Sequence, residues 1–208
     1  MQQQQPPTAK NEVFIVDDDP AVRDALSLVF MLEGYLVAGF AEGNAFLAAA
    51  RTRVPACIIL DVNMPGRSGL DLLKELSAQH YAAPLFIMSG QSDIPMAVDA
   101  IRAGATDFIE KPFDADSVVR RARAAIDAAQ RPELADSLPA FPGRDLLTPR
   151  ERQVLAQISA GASNKEAGRH LAISPRTIEV HRARIMDKLG ARNAAELVGI
   201  VLGRRLGH

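Results

Sequence analysis

Five polar side chains stand at the ends of short apolar runs, where they could bind a cation and a phosphate. Asp17 and Asp18 follow the first run, Asp61 the third and Ser89 the fourth, and Lys111 lies just after the fifth. Three converging carboxylates repel one another unless a cation neutralises them, and an all-oxygen set suits Mg²⁺, which keeps several waters and takes a phosphate partner. An ammonium group adds a point charge for that phosphate. A carboxylate beside Mg²⁺, without a general base or second nucleophile, is arranged to accept a phosphoryl group rather than to turn over a substrate.

Each of these residues, taken alone, has a simpler interpretation. Residues 17–19 could be a solvated turn and a helix cap, and a lone Ser89 or Lys111 would be ordinary. Their joint placement at four strand ends favours the site, because ligands of an open parallel sheet bind outside the carboxyl ends of the strands.

The elements that must position these groups are five apolar runs of strand length separated by helix-like segments. The runs are Val13–Val16, Tyr35–Phe40, Ala56–Leu60, Leu85–Met88 and Asp107–Ile109. Short continuous apolar runs that alternate with amphipathic segments favour a parallel sheet covered on both faces. We therefore expect an α/β, doubly wound, five-stranded parallel sheet of the flavodoxin-like kind.

Helix signals agree with this spacing. Asp19 can cap and Pro20 can begin a helix that runs through Leu32 and ends at Gly34. A last helix from about Asp114 to Ala129 closes the domain.

Two segments of the chain carry no regular pattern. Residues 1–10, with four consecutive glutamines and two prolines, have nothing to bury, so we expect a disordered lead-in. Residues 131–145 contain three prolines and a glycine, which break helices and strands alike, so we expect a linker. The predicted domains are therefore residues 11–130 and residues 146–208.

The second domain contains four helix starts. Thr148–Glu151 and Ser163–Glu166 are capping boxes, in which a hydroxyl and a carboxylate satisfy backbone N–H groups. Ser174-Pro175 and Asn193–Glu196 follow similar logic, and Gly161 and Gly190 can end helices. This pattern predicts a small all-α domain of four short helices.

Composition and charge set further bounds. The 208 residues suit two domains, and no apolar stretch approaches the roughly 20 residues that span a bilayer. Cys57 is the single cysteine and the start lacks a secretory pattern, so we expect a soluble, cytoplasmic protein without membrane contact. Residues 1–130 carry 11 Lys and Arg against 17 Asp and Glu, which is −6, whereas residues 131–208 carry 13 against 8, which is +5. The basic second half indicates a module that binds a polyanion.

Two of the predicted helices meet at residues 172–174, in a helix-turn-helix arrangement whose second helix enters the major groove of DNA. At 100° per residue, Ile178, Ile185 and Leu189 point toward the core. The opposite face carries Arg176, Val180, Ala183 and Asp187, and it is flanked by Thr177, Glu179, Arg184 and Lys188. The small centre suits thymine methyl groups, and Glu179 could accept a hydrogen bond from a cytosine amine. For the charges alone, an ordinary solvated helix face is the simpler interpretation.

Residues Val13 to about Ala129 resemble the receiver domain of two-component systems. The resemblance rests on the motifs at 16–19, 60–66, 88–90 and 110–113, which read VDDD, LDVNMPG, MSG and EKPF. It implies that Asp61 is the phosphoacceptor. It also implies that Asp18, Asp61 and the backbone carbonyl of Asn63 bind Mg²⁺, with Asp17 helping through water.

The same resemblance assigns a switch. It implies that Ser89 and Lys111 contact the phosphoryl oxygens and that the bond from Lys111 to Pro112 is cis, a rare state. Phe108 matches the aromatic residue that turns inward on activation, although a lone Phe in a strand is ordinarily a core residue.

Residues Leu147 to about Val201 resemble a LuxR-type helix-turn-helix domain, through the motifs LTPRE at 147–151 and SPRTIEVHR at 174–182. The whole chain resembles the FixJ subgroup of the NarL/FixJ response regulators. The resemblance implies DNA contact by Glu179, Val180, Ala183 and Arg184. It implies phosphate contacts by Arg176, Thr177, His181, Arg182, Asn164, Lys165 and Lys188.

The resulting hypothesis is a regulator that a partner histidine kinase phosphorylates on Asp61. The resemblance implies dimerisation through about Ile94–Ala103 and Asp107–Ile109, binding of an inverted repeat in promoter DNA, and RNA polymerase as a further candidate partner. One alternative is a Mg²⁺-dependent phosphohydrolase, but such enzymes need an acid/base Asp two positions after the nucleophile, where this chain has Asn63. Another is a basic domain that binds RNA or protein, but the second helix lacks stacking aromatics, which favours duplex DNA. We expect no enzymatic turnover beyond self-dephosphorylation.

Overall fold

The computed structural model describes residues 8–78, 81, 83–90, 94–130 and 138–203. The chain forms two compact units that divide between Ile126 and Asp127. Within the part of the chain that the structure describes, no helix combines the length and the apolar character needed to cross a bilayer.

The N-terminal unit is a five-stranded parallel sheet with the strand order β2-β1-β3-β4-β5, which confirms the predicted fold class. Its strands are β1 Thr8–Val16, β2 Leu36–Phe40, β3 Val54–Asp61, β4 Leu85–Ser89 and β5 Asp107–Glu110. Its helices are α1 Pro20–Leu32, α2 Gly43–Ala50, α3 Gly69–Ala78, α4 Ile94–Ala103 and α5 Ala115–Gln130. Every residue of β3 and β4 is buried, as expected for central strands covered on both faces.

The first helix begins and ends where its residues predict. The side chain of Asp19 accepts a hydrogen bond from the backbone N–H of Ala21, and Pro20 occupies the first helical position. Gly34 follows the helix with φ of 85°, a conformation that favours glycine. This cap anchors the start of α1 beside the carboxyl end of β1.

Strand β1 is longer than its apolar run predicts. It begins at Thr8 rather than Val13, so residues 8–10 belong to a strand and the prediction of a disordered lead-in is wrong for them. The backbone at Thr8 and Ala9 pairs with the start of β3. Backbone pairing does not require apolar side chains, so this extension leaves no hydrophobic signal. Residues 1–7 of the predicted lead-in lie outside the described residues.

The C-terminal unit contains a short 3₁₀ helix at Arg144–Leu146 and the helices α6 Pro149–Ser159, α7 Asn164–Leu171, α8 Pro175–Leu189 and α9 Ala194–Val201. All four α-helices begin at the predicted caps. The side chains of Thr148, Ser163, Ser174 and Asn193 each accept a hydrogen bond from a backbone N–H three residues later. The first two caps are complete capping boxes closed by Glu151 and Glu166.

The described part of the predicted linker is packed rather than extended. Leu138 and Phe141 are each 8% exposed and join the core of the C-terminal unit. Proline disrupts the interior of helices and strands, but it does not prevent neighbouring apolar side chains from being buried. The prediction of a linker is therefore wrong at residues 138–145, and residues 131–137 lie outside the described residues.

A tight turn joins α7 to α8. Ala172 adopts a left-handed conformation with φ of 52°. A Cβ atom on Gly168 would lie 2.7 Å from the carbonyl oxygen of Ile173. Since a side chain at position 168 would collide with backbone, only glycine lets the two helices approach this closely. The turn thereby fixes the angle at which α8 leaves α7.

Candidate metal centre and nucleic-acid interface

Strand register brings the predicted phosphate-binding groups to one edge of the sheet. Asp61, the last residue of β3, pairs with Met88 of β4, and the next residue along β4 is Ser89. Ser89 in turn pairs with Glu110 of β5, which immediately precedes Lys111. The residues that carry the carboxylate, the hydroxyl and the ammonium group therefore lie at the carboxyl ends of three neighbouring strands.

Lys111 bridges the two buried carboxylates of the site. Its Nζ lies 2.7 Å from Oδ2 of Asp17 and 2.7 Å from Oδ1 of Asp61. The second oxygen of each carboxylate accepts a backbone N–H from two residues later. Asp19 donates to Asp17 at 2.9 Å, and Asn63 donates to Asp61 at 2.7 Å. Both carboxylates are thus held in position from two sides.

Burial controls the ionisation of these groups. Asp17 is fully buried and Asp61 is 3% exposed. Burial raises the pKa of Asp61 above its ordinary value, although the hydrogen bond and charge of Lys111 act against this shift. Burial alone would lower the pKa of Lys111, but its contacts with Asp17 and Asp61 raise it overall. The ammonium group therefore stays protonated and offsets part of the buried negative charge.

Three carboxylates of the site are close enough to share a cation. One oxygen from each of Asp17, Asp18 and Asp61 lies within 4.8 Å of the others. Asp18 is exposed, so the cluster reaches solvent, which a cation that keeps several waters requires. These residues fit a hard divalent cation. The structure shows a contact of Asp61 with the backbone N–H of Asn63. The backbone carbonyl of Asn63 stays a predicted ligand.

The predicted switch residues Ser89 and Phe108 lie on β4 and β5. The side chain of Ser89 is fully buried, and the backbone carbonyl of Ser89 accepts the N–H of Lys111 at 2.8 Å. The bond from Lys111 to Pro112 is cis, which confirms the prediction. Phe108 is half-buried in β5, and its rotation on activation stays a prediction.

One residue near the switch was missed by sequence reasoning. Arg121 of α5 forms an ion pair with the buried carboxylate of Asp107 and donates to the backbone carbonyl of Phe108 at 2.8 Å. It therefore ties α5 to β5, the strand that carries Phe108. An arginine on an amphipathic helix is ordinarily a solvated charge, so no signal in the sequence could have found it.

Glycine is required where the chain returns to the backbone of Asp61. A Cβ atom on Gly69, the first residue of α3, would lie 2.1 Å from the carbonyl oxygen of Asp61. The backbone N–H of Gly69 donates to the carbonyl of Val62 at 3.0 Å. This close approach packs the start of α3 against the end of β3 and supports the backbone of Asp61.

Removing one buried charge should stabilise the chain when no metal is bound. Asp61→Asn keeps the side-chain size and leaves Lys111 paired with Asp17, so we expect the free energy of unfolding to rise by about 1 kcal/mol at neutral pH. Folding raises the pKa of the Asp61 carboxyl. The ionised carboxylate therefore destabilises the fold fully at pH values above the folded-state pKa, and it has no effect at pH values below the unfolded-state pKa of about 3.9. The gain should therefore vanish as pH falls. Urea unfolding in EDTA between about pH 3 and pH 8 measures it.

The matched control is Asp24→Asn, which removes an exposed carboxylate from α1. It should change stability little at any pH. A gain for Asp61→Asn that persisted undiminished at low pH would show that charge burial is not its cause.

In the C-terminal unit, α8 separates its faces largely as predicted. Ile178 and Ile185 are fully buried, and Leu189 packs against the same core. On the opposite face Arg176, Glu179, Ala183 and Asp187 are exposed, and Val180 is half-buried. A face with a small centre and charged edges is therefore available to a ligand.

Two residues predicted to contact phosphates are buried instead. Thr177 is 4% exposed and His181 is 2% exposed. Thr177 takes part in the cap of α8, since its backbone N–H donates to Ser174 Oγ at 3.0 Å and the two hydroxyls lie 2.8 Å apart. Helical spacing gives the direction of a side chain but not how far neighbouring helices cover it. Little of either side chain is open to a phosphate in this structure, and their contact with DNA stays a prediction.

Arg184 and Lys188, two cations predicted to contact DNA, form ion pairs within the C-terminal unit. The carboxylate of Glu151 in α6 is fully buried and contacts Arg184 Nε at 3.1 Å and Lys188 Nζ at 2.7 Å. Lys188 also donates to the carbonyl of Leu146 at 3.0 Å. These contacts connect α8 to α6, so Lys188 has a structural role in this unit. The capping box predicted a backbone role for Glu151, but nothing in the sequence indicated its partners on α8.

The remaining predicted contacts lie where α7 begins. Asn164 is the first residue of α7, and its side-chain amide contacts both Arg182 and Glu179 of α8. Lys165 is exposed beside it. The structure thus places Asn164, Lys165, Glu179 and Arg182 together at one edge of the exposed face.

The Glu151 cluster predicts unequal roles for two cations of α8. Lys188→Met keeps most of the aliphatic stem but removes one partner of a buried carboxylate, so we expect a loss of about 1–2 kcal/mol in the free energy of unfolding, with Arg184 limiting the damage. Arg176→Met, at an exposed position of the same helix, should leave stability unchanged. Chemical unfolding of the two full-length variants compares them. Equal stability would mean that Lys188 is an ordinary surface cation.

Both units match families of known proteins. Residues 13–123 match the family described as "Response regulator receiver domain". Residues 145–201 match the family described as "Bacterial regulatory proteins, luxR family". The two matches fall in the two units of the fold and include both sites described above.

Relatives with curated descriptions extend over nearly the whole chain. The transcriptional regulatory protein FixJ of Bradyrhizobium diazoefficiens is 41% identical over 199 residues, covering 94% of this chain and 96% of the relative. The C4-dicarboxylate transport transcriptional regulatory protein DctR of Rhodobacter capsulatus is 40% identical over 194 residues, covering 89% and 96%. Among solved structures, full-length FixJ from B. japonicum has a TM-score of 0.57 at 39% identity, covering 96% of this chain and 99% of that one. The response regulator StyR has a TM-score of 0.52 at 33% identity, covering 92% and 98%.

Proposed function

This chain belongs to the two-component response regulators that join a receiver domain to a LuxR-type DNA-binding domain, and we propose which of its residues receive and transmit the phosphoryl signal. As a member of this family it is a phosphorylation-dependent transcription regulator. Its partners are a histidine kinase and DNA.

We assign phosphoryl acceptance to Asp61. A carboxylate oxygen of Asp61 attacks the phosphorus of a phosphohistidine on the kinase, an O–P bond forms, and the N–P bond breaks. The leaving imidazole keeps the bonding electron pair. The observation that carries this assignment is the position of Lys111 Nζ, 2.7 Å from both Asp17 and Asp61, where a protonated amine can follow the transferred oxygens.

We propose Mg²⁺ as the cation of this site. Asp17, Asp18 and Asp61 offer only carboxylate oxygens, which a hard divalent cation prefers. When bound, such a cation neutralises charge that develops on the phosphoryl oxygens. Lys111 would then exchange part of its contact with Asp17 and Asp61 for contact with the phosphoryl group. The exposed side chain of Asp18 leaves room for waters.

The signal leaves the site through β4 and β5. Phosphorylation draws Ser89 and Lys111 toward Asp61, and Phe108 follows inward as β5 shifts. Arg121 opposes or permits this shift, because it holds both the carboxylate of Asp107 and the carbonyl of Phe108. The phosphoryl group changes the balance of two conformations only by what it contributes differently to each. We propose that the shifted state dimerises through α4 and β5.

The DNA-binding face of α8 is narrower than the sequence suggests. Arg176, Glu179, Val180 and Ala183 remain candidates for direct contact, with Lys165 of α7 beside them. Arg184 and Lys188 would have to loosen their contacts with Glu151 before reaching a phosphate. A dimer would set two such helices about one helical turn of DNA apart, roughly 34 Å.

We propose no catalytic turnover of a separate substrate. Acid/base chemistry at the phosphoacceptor would need a carboxyl at position 63, where the amide of Asn63 can neither gain nor lose a proton at ordinary pH. The acceptor carboxylate would therefore be used once in each signalling cycle.

Phosphorylation should govern DNA affinity through Asp61. With a small-molecule phosphodonor and Mg²⁺, we expect the wild-type chain to bind its selected duplex more tightly by on the order of tenfold, a typical size for coupling between sites. Asp61→Asn should lose this gain, and Asp24→Asn should keep it. Fluorescence anisotropy with and without the donor measures the change. A gain that survived in Asp61→Asn would exclude Asp61 as the acceptor.

Metal binding should be visible without any phosphoryl transfer. A ligand at about 100 times its Kd stabilises the folded state by about 2.7 kcal/mol, so saturating Mg²⁺ should raise the Tm of the wild-type chain. Asp18→Ala should remove most of that rise, whereas Asp24→Ala, which removes an exposed carboxylate of α1, should not. Thermal unfolding across a Mg²⁺ titration tests this. An equal rise in both variants would place the cation elsewhere.

A further inference from the structure

The amide of Asn164 connects the start of α7 with two residues of α8. Arg182 Nη1 donates to the amide oxygen at 2.6 Å, and the amide nitrogen donates to Glu179 Oε1 at 3.4 Å. The contact with Arg182 is half-buried and short, and the contact with Glu179 is exposed and longer. One side chain therefore touches both a cation and an anion of the DNA-facing helix.

The orientation of this amide is decided by its partners. A guanidinium group can only donate and an ionised carboxylate can only accept, so the amide oxygen must face Arg182 and the nitrogen must face Glu179. In the reversed orientation the amide nitrogen would face the donor Arg182, and the amide oxygen would face the acceptor Glu179. Since Glu179 and Arg182 are three residues apart on α8, the single amide restrains both side chains relative to the same helical turn.

Asn164 is not needed to cap its own helix. Ser163 accepts the backbone N–H of Glu166, and Glu166 accepts the backbone N–H of Ser163 at 2.9 Å, so the capping box closes without the residue between them. The side chain at position 164 is therefore available for another role. Its replacement should leave α7 folded.

We infer that Asn164 is a positioning residue for sequence recognition: it fixes the carboxylate of Glu179 and the guanidinium of Arg182, and so determines the base preference at the pair that Glu179 meets. This rests on the proposed DNA-binding face of α8. A carboxylate that accepts from a cytosine amine discriminates among bases only if its direction is restrained. The role differs from the phosphate contact that the sequence suggests for Asn164, because a phosphate contact carries no base information.

The test uses the full-length chain with a small-molecule phosphodonor and Mg²⁺. The preferred duplex is first selected from a randomised pool with the wild-type chain. Affinities are then measured for that duplex and for each single-base-pair change within it. The proteins are the wild type, Asn164→Ala, Asn164→Asp, Glu179→Ala, Lys165→Ala and the double variant that combines Asn164→Ala with Glu179→Ala, with Tm recorded for each.

We expect Asn164→Ala to lose on the order of tenfold in discrimination at the same base pairs as Glu179→Ala. Combining the two should add nothing further there, since both remove one interaction. Asn164→Asp keeps an acceptor for Arg182 but sets a carboxylate against Glu179, so it should lose the same discrimination. Lys165→Ala should weaken all sequences equally and lower the salt slope by about one.

Two kinds of failure can be told apart. If the wild-type chain selects no sequence, the proposed function fails and the inference fails with it. If binding is sequence-specific and Asn164→Ala keeps the wild-type preference, or weakens every sequence equally as Lys165→Ala does, the inference alone is overturned. A wild-type preference in Asn164→Asp would likewise overturn it, because the hydrogen bond to Glu179 would then be irrelevant.

Discussion

Lys111 places a single positive charge between two carboxylates, Asp17 and Asp61, that are buried and close together. Much of the surrounding structure serves this contact. The strand register brings β1, β3 and β5 to a common level, the backbone N–H groups of Asp19 and Asn63 hold the outer oxygens, and the close approach at Gly69 supports the strand end. Because one ammonium cannot fully compensate two carboxylates, the site retains an excess of negative charge. A bound cation or a covalent change at Asp61 would alter that balance directly.

The C-terminal unit contains a comparable arrangement with the charges reversed. A buried carboxylate, Glu151, is shared by Arg184 and Lys188, so the excess is positive and lies on α8, the helix proposed to face DNA. The carboxylate also closes the cap of α6 through the backbone N–H of Thr148. One acid thus sets the orientation of α8 and moderates its charge. Cations that are partly neutralised within the protein contribute less to indiscriminate attraction toward any polyanion, and the reading of bases then falls to the residues left exposed.

How far the sequence predicts this molecule depends on how local the signal is. Strand runs, helix caps and the motifs around Asp61 are short patterns whose meaning does not require the rest of the fold, and the structure contains them at the predicted places. The ion pair of Arg121, the partners of Glu151 and the burial of Thr177 depend instead on which helix lies across from them. A periodicity of 100° per residue indicates where a side chain points, but the covering element is a tertiary fact. The burial of Leu138 and Phe141 is also a tertiary fact. The prolines near them indicate a linker and give no sign of which core these two side chains join.

The caps of the four C-terminal helices have a consequence for how the chain folds. Thr148, Ser163, Ser174 and Asn193 each complete their hydrogen bond within three residues, so these four α-helices can begin from contacts close in sequence. In the sheet, by contrast, Val13 pairs with Cys57, which lies far along the chain. The entropy cost of closing the segment between them precedes any stabilisation from that pairing. Folds built from local contacts form faster than parallel sheets. Since translation begins at the N-terminus, the sheet-containing unit leaves the ribosome first. It can therefore begin to fold while the C-terminal helices are still being synthesised.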